Sequence, residues 1–210
     1  MRVVLVNGSP HEQGCTYTAL TEIANTLEEE GVQAEIFWLG DDPVSGCTAC
    51  GKCAEIGKCF IDDVVNEFRE QAEGADGFIF GTPVHYGAAS GSLTSFMDRL
   101  FFSVGRSGSD MFYLKPAAGI MSARRAGTTA TYDQINKYFG LTEMAIISAR
   151  YWNMVHGSKP EDVPKDEEGL LNMRILARNM AFFLKCKKAG LENGVALPVA
   201  EPRIATNFIR

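Results

Sequence analysis

An α/β architecture, an open parallel sheet with helices on both faces, is the fold class this sequence of 210 residues predicts. Three observations carry that expectation. Short β-branched or apolar runs alternate with longer stretches at helical spacing. One of the short runs, "GFIFGT" at 77–82, lacks the polar alternation of a half-buried strand and reads as a central parallel strand. Glycine- and hydroxyl-rich loops follow the first, third and fourth runs, and in such sheets ligands bind at the carboxyl ends of the strands.

The elements follow in order. Val3 to Val6 is the first strand and ends in the turn signal "NGSP". A helix over 16–30 places Leu20, Ile23, Ala24 and Leu27 on one face, and Gly31 suits its C′ position. The second strand runs over 33–39, and a cysteine-rich loop occupies 41–61. Asp62 or Asp63 can cap a helix reaching about residue 72. The third strand, 77–82, leads to a helix over 93–103. The fourth strand, 116–121 ("PAAGIM"), leads to a helix over 128–138. The fifth strand is "MAIIS" at 144–148, and the longest helix covers 167–188, followed by a tail with Pro198 and Pro202. Five strands and five helices fit one domain over 1–210, with the last helix and tail at 167–210.

Composition narrows the class. The chain is 46% hydrophobic and 22% charged, ordinary for a globular protein large enough to bury a sizeable core. Its net charge of −6 offers no general attraction to nucleic acid. No apolar run is long enough to cross a bilayer, and the run before Asn7 is too short for a secretory signal. A cytoplasmic location is expected, where thiols stay reduced and clustered cysteines more often mean metal or redox chemistry than disulfides.

The first loop, "NGSPHEQGCT", has neither the GxGxxG spacing of a dinucleotide fold nor a Walker Gly-Lys-Ser/Thr. It offers the hydroxyls of Ser9, Thr16, Tyr17 and Thr18 at a helix N-terminus, a place suited to a phosphate monoester; Cys15 or Thr16 as an ordinary helix cap is the plainer alternative. The loop "TPVHYGAASGSL" puts the flat side chains of His85 and Tyr86 at its tip, and "SARRAGTT" adds Arg124 and Arg125. Together the three loops suit a phosphate and a flat ring system, and an isoalloxazine is a natural occupant.

These stretches, "NGSPHEQGCTYTAL", "TPVHYGAASGSLTSFMDR" and "SARRAGTT", resemble the NADPH-dependent FMN reductase family of flavodoxin-like proteins over roughly residues 1–150. "CTACGKCAEIGKCFIDD" resembles the compact cysteine motif of its iron–sulfur flavoprotein branch. The resemblance implies a flavodoxin-like three-layer sandwich with a five-stranded parallel sheet in the order 2-1-3-4-5, and FMN as cofactor. It implies Ser9, His11, Thr16, Tyr17 and Thr18 around the phosphate. Pro83, Val84, His85, Tyr86 and Gly87 would lie along the isoalloxazine, and Ser122, Ala123, Arg124, Gly127 and Thr128 on its other side. It also implies a homodimer or homotetramer. Where the family often has arginine and asparagine, this chain has His11 and Cys15. The segment "YWNMVHG" at 151–157 is expected outside the basic sheet, as an interface anchor or a cover over a flavin.

Four of the six cysteines follow the spacing Cys47-x2-Cys50-x2-Cys53-x5-Cys59. Three at x2 spacing resemble the bacterial ferredoxin pattern of a 4Fe–4S cluster, with Cys59 as fourth ligand. Zinc and free thiols stay open as alternatives; zinc sites usually draw two ligands from each of two separated turns. The loop follows the second strand, so it is expected at the carboxyl edge of the sheet beside the flavin. Two functions follow. The first is an FMN-dependent oxidoreductase passing electrons from NAD(P)H to a small acceptor: a flavin, a quinone, a nitro or azo compound, or oxygen. His85 or Tyr86 would supply a proton to it. The second is an electron carrier that takes electrons from ferredoxin through the cluster to FMN.

Overall fold

A computed structural model describes residues 1–199, 201, 204–206 and 208; Pro202 lies outside the described residues. Strands β1 (Arg2–Asn7), β2 (Gln33–Trp38) and β3 (Gly77–His85) are joined by α1 (Cys15–Glu29), α2 (Cys53–Ile56) and α3 (Val64–Gln71). A short β4 (Ala88–Ala89) folds back on the end of β3. Helix α4 (Gly91–Arg106), β5 (Pro116–Ala123) and α5 (Thr128–Leu141) follow. Strands β6 (Ala145–Ile146) and β7 (Met154–His156), a 3-10 turn at Pro160–Lys165 and α6 (Glu167–Glu192) complete the order.

The parallel sheet runs β2-β1-β3-β5-β6, with β7 also on β5. Counting the two pieces beside β5 as one interrupted strand, this is the 2-1-3-4-5 order that the resemblance implies. Alternate side chains of β1 serve opposite faces. Val4 and Val6 join Phe68, Phe96, Leu100 and Phe139 beneath α3, α4 and α5. Val3 and Leu5 join Leu20, Ile23, Met173 and Leu184 beneath α1 and α6. On the first face Phe68 meets Phe96 edge-on at 5.2 Å, and Phe101 stacks on Phe112 at 4.4 Å. No helix among the described residues is long and apolar enough to cross a membrane.

The fifth strand differs from the sequence expectation. Strand pairing holds only at Ala145–Ile146, lapses through 147–153, and resumes at Met154–His156 against Met121–Ala123. The segment 151–157 therefore does not lie outside the sheet, because its second half is a strand. Asn153 is the physical reason. Its fully buried amide donates to Gly119 O at 3.1 Å and accepts from Ala149 N at 3.1 Å, while its carbonyl accepts from Met121 N at 2.9 Å. That set of bonds closes the bulge and leaves Tyr151 and Trp152 exposed as an edge-on pair at 4.3 Å. Replacing Asn153 with alanine leaves buried polar groups without partners, so a loss of about 1–3 kcal/mol is expected. A urea midpoint equal to that of the parent chain would contradict this account.

Candidate functional site: three flavin-type loops and a four-cysteine cleft

The carboxyl ends of β1, β3 and β5 meet at one edge, and side chains knit their loops together. Ser90 caps α4, accepting from Leu93 N, and donates its hydroxyl to Gly8 O at 2.9 Å. Its own N–H donates to Thr82 Oγ1 at 3.0 Å. Thr16 and Ser122 pair through their buried hydroxyls at 2.9 Å, joining the first loop to the last. Trp38 donates its indole N–H to Ser9 O at 2.9 Å, tying the end of β2 to the same place.

Helix α1 begins at Gly14, which supplies no side-chain cap, and its first turn has no acidic residue. Cys15 and Thr16 are therefore helix residues and not caps. Orphan amides and the helix dipole at such an end suit an anion. Ser9 is buried, and its Oγ accepts from His11 N at 3.1 Å, which leaves the hydroxyl proton to donate. Within the Thr16–Ser122 pair one hydroxyl proton also stays free. Thr18, by contrast, turns its hydroxyl back onto Gly14 O. His11 is exposed and Tyr17 half-buried. These donors fit a phosphate monoester.

The β3 loop is a two-residue hairpin whose central residues, Tyr86 (φ 51°) and Gly87 (φ 80°), both have positive φ. That is the combination a primed hairpin turn demands. Pro83 and Val84 are half-buried, His85 and Gly87 lie toward solvent, and Tyr86 is wholly in solvent. Gln134 of α5 holds the hairpin by accepting from Ala89 N at 3.0 Å. On β5, Ser122 lies in register with Pro83, so the two loops leave the sheet side by side. Ala123 and Thr128 are buried, while Arg124 and Arg125 face solvent. Gly127 caps α5 at φ 100°, and a Cβ there would sit 2.7 Å from Gly87 Cα. The hairpin and the β5 loop therefore touch, and the three sequence-derived groups of residues meet at one edge.

An aromatic at a positive-φ hairpin position costs about 1 kcal/mol, whereas asparagine is at home there. Tyr86→Asn is thus expected to raise stability by about 0.5–1 kcal/mol. A urea midpoint no higher than that of the parent chain would contradict this.

Cys47, Cys50, Cys53 and Cys59 line a single narrow cleft, with Phe60, Arg99 and Phe102 in its wall. Positive φ at Ala49 (53°), Gly51 (73°) and Gly57 (78°) provides the tight turns between them. Cys53 is buried, Cys59 half-buried, and Cys47 and Cys50 exposed. The backbone N–H of Lys52 pulls the Cys50 thiol below the ordinary thiol range, helped by the Thr48 hydroxyl and the Lys52 charge. Among the described residues no three Cys, His, Asp or Glu side chains converge on one point for a single ion. A cubane asks for something else, one thiolate per iron around its corners, and four cysteines lining one cleft fit that requirement.

The cleft is not at the carboxyl edge, as the position of the loop in the sequence suggests. The loop starts there, at Trp38, but then descends along α4 as far as Arg99 and Ser103. Arg99 is nine residues past the cap of α4, about 13 Å down the helix. The reason is Arg99 itself, fully buried and bonded to Asp63 at 2.6 and 2.8 Å and to Ile61 O at 2.8 Å. Asp63 also caps α3 by accepting from Val65 N, so of the two candidate caps Asp63 serves.

Sequence reasoning missed Arg99, Asn153, Trp38 and Ser90. Arg99 alone left a signal. Phe96 and Met97 precede it and Leu100 and Phe101 follow it, so the arginine sits among apolar residues of α4. A cation on an apolar helical stripe needs a buried partner.

The sheet order and the three-loop edge define a flavodoxin-like α/β protein, with donors suited to a phosphate at that edge. Residues 1–159 match the family model for NADPH-dependent FMN reductases, and the chain belongs to that family. Among its relatives, an iron-sulfur flavoprotein of Methanocaldococcus jannaschii is 32% identical over 198 residues, covering 90% of this chain and all of the relative. A solved structure of RosB with a bound flavin-phosphate intermediate superposes with a TM-score of 0.69 at 14% identity, covering 100% of this chain and 94% of the other. A flavodoxin-type WrbA-like protein from Agrobacterium tumefaciens superposes with a TM-score of 0.59 at 17% identity, covering 88% and 96%.

Proposed function

We propose that the chain is an FMN-dependent oxidoreductase whose four-cysteine cleft holds a 4Fe–4S cluster, receiving single electrons from a carrier such as ferredoxin and delivering them through FMN to a small acceptor. The observation that carries this reading is that Cys47, Cys50, Cys53 and Cys59 line one cleft, and the relatives named iron-sulfur flavoproteins agree with it. FMN, when bound, supplies the exchange between one- and two-electron steps, and the protein supplies binding, orientation and electrostatics.

In this reading Ser9, His11, Thr16, Tyr17 and the first amides of α1 hold the phosphate, while the Thr18 hydroxyl stays on Gly14 O. Pro83 to Gly87 line one side of the ring, and Ser122, Ala123, Arg124, Gly127 and Thr128 the other. Arg124 offsets negative charge at the ring's polar edge. His85 and Tyr86, at the solvent tip of the hairpin, hold a proton for an approaching acceptor. The setting is cytoplasmic, where the thiols stay reduced, and the assembly is a homodimer or homotetramer.

A second reading keeps the same FMN site but draws electrons directly from NAD(P)H to the same class of acceptor: flavin, quinone, nitro or azo compound, or oxygen. The family match favours it. Protein purified without oxygen separates the two. Flavin bands with about four irons per chain and rapid reduction by ferredoxin are expected from the first reading. Flavin without iron, reduced rapidly by NADPH or NADH, would replace it with the second.

A further inference from the structure

Arg99 is the largest fully buried side chain among the described residues, and it is a cation on the wall of the cysteine cleft. All five of its N–H donors have acceptors, which is the full capacity of a guanidinium. Nη1 donates to Asp63 Oδ2 at 2.6 Å and to Ser45 O at 3.5 Å. Nη2 donates to Asp63 Oδ1 and to Ile61 O, both at 2.8 Å. The remaining donor, Nε–H, points at Cys59 Sγ, 3.3 Å away.

The fork therefore has no freedom to turn, since moving Nε away from the sulfur breaks the bidentate pair with Asp63. Asp63 is itself fixed as the cap of α3. Cys59 is held from its other side as well: Asn66 accepts from its N–H at 3.1 Å and donates to its carbonyl at 2.9 Å. The donor and the sulfur are thus pre-aimed by two separate sets of bonds. Cys50 has the neutral Thr48 hydroxyl and the Lys52 N–H beside it, a weaker and more exposed arrangement. The Lys52 ammonium itself lies over the Phe60 ring at 3.4 Å.

We propose that Arg99 is a positioning residue for the cleft that raises the reduction potential of the group held there, through its Nε–H bond to Cys59 Sγ. The inference rests on the reading that the cleft holds a 4Fe–4S cluster. Taking up one electron from a one-electron donor adds one negative charge, part of which resides on the ligand sulfurs. A fixed N–H dipole and a buried cation at one sulfur favour the state carrying that extra electron. Lysine cannot replace arginine here, because a single ammonium cannot span Asp63, Ile61 O and the sulfur together.

The test is a dithionite titration of anaerobically purified full-length protein, followed by electron paramagnetic resonance, with Arg99→Lys and Arg99→Met compared to the parent chain and to Lys58→Gln. The expected result is a lower midpoint for both Arg99 variants, about tenfold in the reduction equilibrium for Arg99→Met (59 mV for one electron), and an unchanged midpoint for Lys58→Gln. An unchanged midpoint in iron-replete Arg99 variants overturns the inference. Should both variants lose the cluster, the parent chain labelled with ¹⁵N-arginine decides. A nitrogen coupling to the reduced cluster that changes with the isotope supports the bond, and no such coupling overturns it. A parent chain that binds no iron overturns the cluster reading and this inference with it, an outcome the iron count separates from the others.

Discussion

Arg99→Ala is expected to destabilise the metal-free chain by about 3 kcal/mol, the low end of what breaking a buried ion pair costs, since Asp63 keeps some contact with water. For a protein of this size that corresponds to a fall in melting temperature of roughly 6–12 °C. Burial opposes the charge of Arg99, but the hydrogen bonds and charge of Asp63, with Cys59 adding to them, outweigh it and hold the guanidinium protonated. The alanine variant leaves Asp63 without its partner and Ile61 O without its donor. The pair Arg99→Met with Asp63→Asn tests the cause. Asparagine can still cap α3, and no lone carboxylate remains, so the double variant is expected to recover part of the loss seen in Arg99→Met alone. Calorimetry of the three variants checks it; a double variant less stable than the single would show that packing, and not the ion pair, dominates.

Gly127→Val is expected to weaken FMN binding at least tenfold while the sheet stays intact. Gly127 has φ 100°, a conformation that side chains rarely adopt. Its Cβ would also lie 2.7 Å from Gly87 Cα and 2.8 Å from Val84 Cγ1. Backbone cannot swing aside as a flexible side chain does, so the β5 loop must part from the hairpin. That separation changes the spacing between the two walls proposed for the ring. The effect should appear in a flavin fluorescence titration of the apoprotein, with far-ultraviolet circular dichroism confirming the fold. Parent-like affinity would mean that contact between these loops does not shape the site.

The parts of the molecule that were legible in the sequence depend on local order. The β1, β3 and β5 runs pack on both faces, so their apolar character was visible without partners. The helices showed their buried stripes, and Gly31 at φ 75° sits just past α1 as its type suggests. The loops that meet at the carboxyl edge were visible from their hydroxyls, glycines and order along the chain, and the fuller residue sets came from the family resemblance. The split fifth strand was not visible, because the break at 147–153 is set by bonds from Asn153 to Gly119 and Met121, more than thirty residues away. The place of the cysteine cleft was hidden for the same reason, since Arg99 draws down a loop whose anchors, Ile61 and Asp63, precede it by 38 and 36 residues.

By itself, then, the sequence determined the layered α/β fold, the edge where the loops gather, and the set of four thiols, because periodicity, turn chemistry and cysteine spacing act over a few residues. Only the tertiary structure decided which cleft the four cysteines line, what holds Cys59, and which half of the fifth strand reaches the site. Each of these rests on a buried polar group that must find a partner, and which partner it finds depends on the packing of distant segments.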